Sequence, residues 1–206
     1  TVTLSGVNTR TGVTTISAGI LSVSTIGNGG VAGNLGAATS TAANLTLNGG
    51  TLRYTGTTAT TDRNFVLSAA TTSTINVTTN TLTLTGASTS TSGALIKDGN
   101  GTLVLSGNNL HTGVTTVSAG TLQLGAAERI TGSLIVDATF DMNGFSETVA
   151  TLAGTGTVTS SNAGTLTLTS GNASSTSFTG VIENGSATSI ALTKNGSGTL
   201  ALSGSN

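Results

Sequence analysis

"GTLVLSGNNLHTGVTTVSAGTLQLG", Gly101 to Gly125, is built from two short alternating apolar runs, and the second begins 19 residues after the first. Alternation with period two predicts β-strands, and the glycine- and asparagine-rich letters between the runs predict turns. Similar runs recurring at about 20 residues favour stacked rungs of a solenoid over a sandwich or barrel. The inward stack is predicted to contain Leu103, Leu105, Val117, Leu122 and Leu124, with "SGNNLHTG" as the outward corner.

The same stretch recurs along the chain. Thr1–Val23 aligns with Thr102–Leu124, and Thr199–Asn206 begins a third copy, so a long repeat of about 100 residues contains the shorter rung period. The sequence therefore predicts an all-β fold, a single-stranded parallel β-helix of about ten coils. At about 4.8 Å per coil this would be a rod roughly 50 Å long. Residues 1–206 are expected to be one continuous segment of a longer repeat protein.

The composition excludes several classes of function. Only 6% of the 206 residues are charged and the net charge is -1, so there is no basic patch for nucleic acid. The absence of cysteine excludes disulfides and thiolate metal sites. No run reaches the roughly 18 apolar residues of a membrane-spanning helix. The absence of proline suits uninterrupted strand pairing.

The residues Leu95–Gly125, "LIKDGNGTLVLSGNNLHTGVTTVSAGTLQLG", closely resemble the passenger-associated repeat of bacterial autotransporters. Thr1–Val23 and Ile190–Asn206 resemble it in part. The position that is usually Tyr in the turn of that repeat holds Arg10 in the first copy and His111 in the second, which we interpret as a solvent-facing corner.

The resemblance implies a right-handed β-helix that is exported to the bacterial outer surface or released from it, without being an enzyme. Its expected role is structural or adhesive, as a rod-like stalk or a segment of a fibre or sheath. The expected partners are neighbouring coils, further copies of the protein stacked head to tail or side by side, and glycans or other cell surfaces. No cofactor, metal or catalytic residue is expected.

Two other functions remain open from the sequence. A carbohydrate-active β-helix enzyme would need a carboxylate pair about 5–10 Å apart, and Asp137 and Asp141 are the nearest candidates. We interpret both as surface corner residues. An ice-binding face would need Thr-x-Thr on every rung, but "TLTLT" at Thr81–Thr85 and at Thr165–Thr169 is separated by runs that break the series.

The remaining polar signals are predicted to be ordinary surface features. His111 has no acidic or nucleophilic partner in its motif, so we expect an exposed polar residue. "DGNG", Asp98–Gly101, lacks the further acidic ligands of a calcium loop and is interpreted as a turn. The charged pairs Asp62–Arg63 and Glu128–Arg129 are expected to be exposed loop tips.

Overall fold

The computed structural model describes all 206 residues, and nearly all of its regular structure is short strands. The single helical element is the three-residue 3-10 turn Ala42–Asn44, far too short to cross a membrane. The strands in chain order are β1 (Val2–Leu4), β2 (Thr14–Ile16), β3 (Ile20–Val23), β4 (Leu45–Leu47), β5 (Thr51–Tyr54), β6 (Ala59–Thr61), β7 (Val66–Leu67), β8 (Thr72–Val77), β9 (Thr81–Leu84), β10 (Ala94–Asp98), β11 (Thr102–Leu105), β12 (Thr115–Val117), β13 (Thr121–Leu124), β14 (Leu134–Val136), β15 (Thr139–Asp141), β16 (Glu147–Val149), β17 (Leu152–Ala153), β18 (Thr157–Thr159), β19 (Thr165–Gly171), β20 (Thr176–Phe178), β21 (Val181–Ile182), β22 (Ser189–Asn195) and β23 (Leu200–Leu202).

These strands form three faces around one core, and all of their pairings are parallel. The first face has the order β1-β3-β5-β8-β10-β12-β14-β17 and continues through a bridge from Gly154 to Phe178 into the pair β20-β23. The second face runs β6-β9-β11-β13-β15-β18-β21. The third face consists of β2-β4-β7 at one end and β16-β19-β22 at the other. Each strand pairs with the strand one turn earlier, so the chain winds as a solenoid of about nine turns.

This arrangement confirms the predicted parallel β-helix, with about nine turns rather than ten. Leu103 pairs in register with Leu122, and Leu105 with Leu124, as the 19-residue spacing predicts. These four leucines and Val117 are 0% exposed. The inward stack is therefore confirmed, because alternate residues of a strand point to the same side.

Aliphatic residues dominate the core because the rungs leave little room between the three faces. Thirty-two buried hydrophobic residues form one cluster along the solenoid. On the second face Leu82, Leu103, Leu122, Phe140 and Val158 are stacked on consecutive rungs. Full burial of one such side chain contributes about 1.5–3 kcal/mol, so the stability is distributed over every turn.

The third face is interrupted in the middle of the molecule. Between β7 and β16 its only strand contacts are isolated bridges that join Phe65 to Ser88 and Ser88 to Asn109. Polar residues replace the leucines of the interior at this point: Ser88, Asn109 and His111 are 2%, 1% and 0% exposed. This stretch is the polar seam of the solenoid.

Residues 24–44, here called the lobe, leave the solenoid between β3 and β4 and contain no strand. The lobe packs beside β6, the first strand of the second face. Thr61 donates its hydroxyl hydrogen to the Gly27 carbonyl, and the Gly29 amide donates to the Asp62 carboxylate. The lobe thus covers a sheet edge that would otherwise present unpaired backbone groups.

Candidate functional site

Asp137 and Asp141 share no hydrogen bond, and their carboxylates accept hydrogen bonds from different residues. Asp137 is exposed at the end of β14, and its carboxylate accepts a hydrogen bond from the Thr155 amide at 3.3 Å. Asp141 is only 5% exposed, so its interpretation as a surface corner is wrong. Its carboxylate accepts bonds from the amides of Asn143 and Ser161, both at 2.8 Å, and from the Gln123 side chain at 2.7 Å. These contacts give Asp141 a structural role between adjacent rungs.

The surface has one depression, at the first turn of the solenoid. It is lined by Val2, Ile20, Leu21 and the segment Thr15–Ala18, five of its seven residues being hydrophobic. No acidic side chain lines it, so this depression offers no pair of carboxylates for glycoside chemistry.

His111 is completely buried, so its prediction as an exposed corner residue is wrong. The alternation of the strands continues through "SGNNLHTG", which places Asn109 and His111 inward and leaves Leu110 45% exposed. His111 Nε2 lies 2.9 Å from Thr115 Oγ1, and Nδ1 lies 3.4 Å from Ser88 Oγ. Burial lowers the pKa of His111 to about 4, so the ring is neutral at physiological pH.

Arg10 takes the place of His111 in the first copy of the repeat and makes the equivalent contact. Its Nη2 donates to Thr14 Oγ1 at 2.8 Å, and Thr14 corresponds to Thr115. The side chain at this position therefore contacts the first threonine of the following strand in both copies. Arg10 is exposed, as predicted for a solvent-facing corner, whereas His111 is buried, so that interpretation is confirmed for the first copy and wrong for the second.

Arg63 is also buried, at 4% exposed, and the prediction of an exposed tip at Asp62–Arg63 holds only for Asp62. The Arg63 guanidinium donates to five backbone carbonyl oxygens of the lobe. The acceptors and distances are Gly27 at 2.8 Å, Ala38 at 3.0 Å, Asn28 at 3.2 Å, Val31 at 3.4 Å and Gly36 at 2.7 Å. One side chain thus satisfies the carbonyls of a loop that has no sheet of its own.

Lys97 lies in an inward column of the first face, in register with Ile75 and Val117, and is 0% exposed. Its Nζ donates to the carbonyl oxygens of Asp98, Gly99 and Ala119 at 2.9, 2.7 and 2.9 Å. Burial lowers the pKa of Lys97 to about 8, although the neighbouring Asp98 acts in the opposite direction. This role of Lys97 was not predicted from the sequence.

The repeat contains a signal for this role of Lys97. Lys194 occupies the same place in the third copy, where "ALTKNGSG" corresponds to "ALIKDGNG", and it also donates to the carbonyls of the next two residues. The recurrence of a lysine just before a glycine turn, in a chain of which only 6% of the residues are charged, indicates that its ammonium group binds the carbonyl oxygens of that turn.

Two glutamates tie successive rungs together where the third face resumes. Glu147 is 0% exposed, and its carboxylate accepts bonds from the amides of Arg129 and Ile130 at 2.8 and 3.0 Å. Glu128 accepts from the amide and hydroxyl of Thr148 in return. Burial raises the pKa of Glu147 to about 7. Glu128 is exposed as predicted, but Arg129 is half-buried.

The second face carries an unbroken outward column of threonines. Its members are in register on five consecutive rungs: Thr81, Thr102, Thr121, Thr139 and Thr157. We call this set the Thr column. The adjacent outward column contains Val104, Gln123 and Asp141 on its middle rungs, so the Thr-x-Thr pair needed for an ice-binding face is missing there.

The Asp98–Gly101 segment adopts a turn, with Gly99 at a φ of 79°. The Asp98 carboxylate accepts a bond from the Asn76 side-chain amide at 2.5 Å. No three His, Asp or Glu side chains of the chain cluster in a way that could hold a metal ion.

The comparisons with known proteins agree with this architecture. Residues 1–23, 95–124 and 192–206 match the passenger-associated-transport-repeat family. The fold and these segments define a parallel β-solenoid carrying autotransporter passenger repeats, which confirms the resemblance seen in the sequence. The chain is similar to the adhesin BmaC autotransporter of Brucella suis biovar 1 (strain 1330), with 44% identity over 215 residues. That alignment covers 98% of this chain and 6% of the adhesin. No solved structure matches the chain.

Proposed function

We propose that the chain is an adhesive, rod-like passenger segment of an extracellular bacterial surface protein. The observation that carries this proposal is the similarity to an autotransporter adhesin along 98% of the chain. The small share of the adhesin that is covered supports one continuous segment of a much longer solenoid. Stacked rungs suit that role, because each turn contacts only its neighbours and length can be added without changing the fold.

The Thr column is the surface best suited to contact a ligand. Its five hydroxyls lie on adjacent rungs about 4.8 Å apart and are partly exposed, so they present a straight row of donors and acceptors. A polyhydroxylated chain such as a glycan offers matching groups. We propose that adhesion, where it occurs within this segment, uses the second face.

Adhesion can be tested with beads coated with the chain and applied to glycan arrays and cultured cells. Replacing Thr121 and Thr139 by lysine should reduce capture about tenfold or more. Replacing Thr116 by lysine is the matched control, because Thr116 points outward from the first face, and it should leave capture unchanged. Binding equal to that of bare beads on every surface would overturn the adhesive role, and equal loss in the control would overturn the assignment to the second face.

The rod shape is tested separately by small-angle X-ray scattering of the purified chain. About nine rungs predict an elongated particle roughly 45 Å long. Concentration-dependent growth along that axis would support head-to-tail stacking, and growth in cross-section would support side-by-side assembly. A compact, nearly spherical particle would contradict the rod, whatever the adhesion assay shows.

A further inference from the structure

The chain contains six Asn-Gly pairs, the dipeptide in which spontaneous deamidation is fastest because glycine does not shield its own amide. They begin at Asn28, Asn48, Asn100, Asn143, Asn184 and Asn195. In this reaction the glycine nitrogen attacks the asparagine Cγ and expels ammonia, which gives a succinimide. Water then opens the ring to aspartate or isoaspartate. The glycine amide must therefore be free, and the asparagine side chain must be able to turn toward it.

Four of the six pairs have an occupied glycine amide. Gly29 donates to Asp62, Gly49 to Ser73, Gly101 to Val77 and Gly144 to Ser160, at distances from 2.7 to 3.0 Å. Attack by these nitrogens requires the bond to break first. A net cost near that of one backbone hydrogen bond slows the reaction about tenfold.

The amides of Gly185 and Gly196 make no hydrogen bond within the chain. The two sites differ in the asparagine. Asn184 Oδ1 accepts a bond from the Ile190 amide at 2.9 Å, which holds its side chain away from Gly185. Asn195 is exposed, and its side chain makes no hydrogen bond. Gly196 follows it at a φ of 72°, in an exposed turn.

We propose that Asn195 is a site of spontaneous deamidation, and that it is the fastest of the six. The aspartate product suits the fold, because the second copy of the repeat already has Asp98 at the corresponding position. The isoaspartate product does not, because it inserts one more carbon into the backbone between Lys194 and Gly196. Lys194 donates to the carbonyls of Asn195 and Gly196, and this turn would lose that geometry.

Peptide mapping by mass spectrometry after incubation at mildly alkaline pH tests the proposal, because each deamidation adds about one mass unit. The matched internal control is Asn100, which is also exposed and has no side-chain hydrogen bond, but whose Gly101 amide donates to Val77 at 2.9 Å. Asn195 should deamidate about ten times faster than Asn100. In concentrated urea the two rates should become equal.

Two results would overturn this assignment. One is a folded-state rate at Asn100, or at any of the other four sites, equal to or above that at Asn195. The other is an Asn195 deamidation rate that remains about ten times that of Asn100 in urea, which would mean that the local sequence, and not the folded structure, causes the difference. The Asn195→Asp variant should unfold at the same urea concentration as the parent chain. The isoaspartate fraction, isolated by chromatography, should be cleaved faster by protease near Gly196, and equal cleavage would contradict the proposed damage to the turn.

Discussion

Replacement of Arg63 by methionine should open the lobe and leave the rest of the solenoid folded. The guanidinium donates to five carbonyls of the lobe and is 4% exposed. At about 1 kcal/mol for each net hydrogen bond, the five bonds together contribute about 5 kcal/mol. Removing the desolvation cost of a buried charge offsets part of this, so we expect a loss of about 3 kcal/mol.

Hydrogen exchange locates the effect. The Gly30 amide donates to Ala38 and the Ala37 amide to Arg10, and both bonds depend on the lobe being closed. About 3 kcal/mol corresponds to roughly a hundredfold faster exchange at these amides. Amides of β13 and β15 should exchange as in the parent chain. Arg53→Met is the control, because the Arg53 side chain points outward from β5 and makes no hydrogen bond. Unchanged hydrogen-exchange protection of the Gly30 and Ala37 amides in Arg63→Met would refute the role of Arg63 in holding the lobe closed.

Three further predictions concern the core and the polar seam. The His111 contribution to stability is lost as pH falls from 6.5 to about 4, whereas the Glu147 contribution is present at low pH and lost as pH rises from 4.5 to about 7. Each amounts to about 3 kcal/mol, so urea midpoints of the parent chain should vary little between these limits. Acidification should then destabilise Glu147→Gln, which keeps only His111, and stabilise His111→Gln, which keeps only Glu147. The opposite responses would contradict the directions given for the two pKa shifts. Gly113→Ala should lower the thermal midpoint strongly, because the new Cβ would lie 2.2 Å from a carbonyl oxygen of the preceding rung. Gly12→Ala, at the same place in the first copy, is the control: its Cβ would meet nothing within 4 Å, so the thermal midpoint should not change. Leu103→Ala should cost about 2–5 kcal/mol in urea unfolding, and a loss below about 1 kcal/mol would argue against a tightly packed stack.

The sequence was sufficient for the inward leucines and insufficient for the buried polar groups. Leu103 and Leu122 were predictable because strand alternation and rung spacing are properties of neighbouring residues. Arg63 was not, because its acceptors lie 25 to 36 residues away in a lobe without periodicity. His111 was predictable in principle: counting by twos from Leu105 places it inward, but the polar letters around it suggested a turn.

The three copies of the repeat do not present the same surface. Leu4 and Leu202 lie on the first face, in β1 and β23, whereas the equivalent Leu105 lies on the second face, in β11. A motif that served as a ligand site would therefore not face the same side of the rod in all three copies. The contacts that do recur are internal: the Lys97 and Lys194 contacts to carbonyls, and the Arg10 and His111 contacts to threonine. The repeat therefore specifies how one rung closes and the next begins. Under the proposed adhesive function, specific recognition would then fall to features that occur once, such as the lobe, or that run across rungs, such as the Thr column.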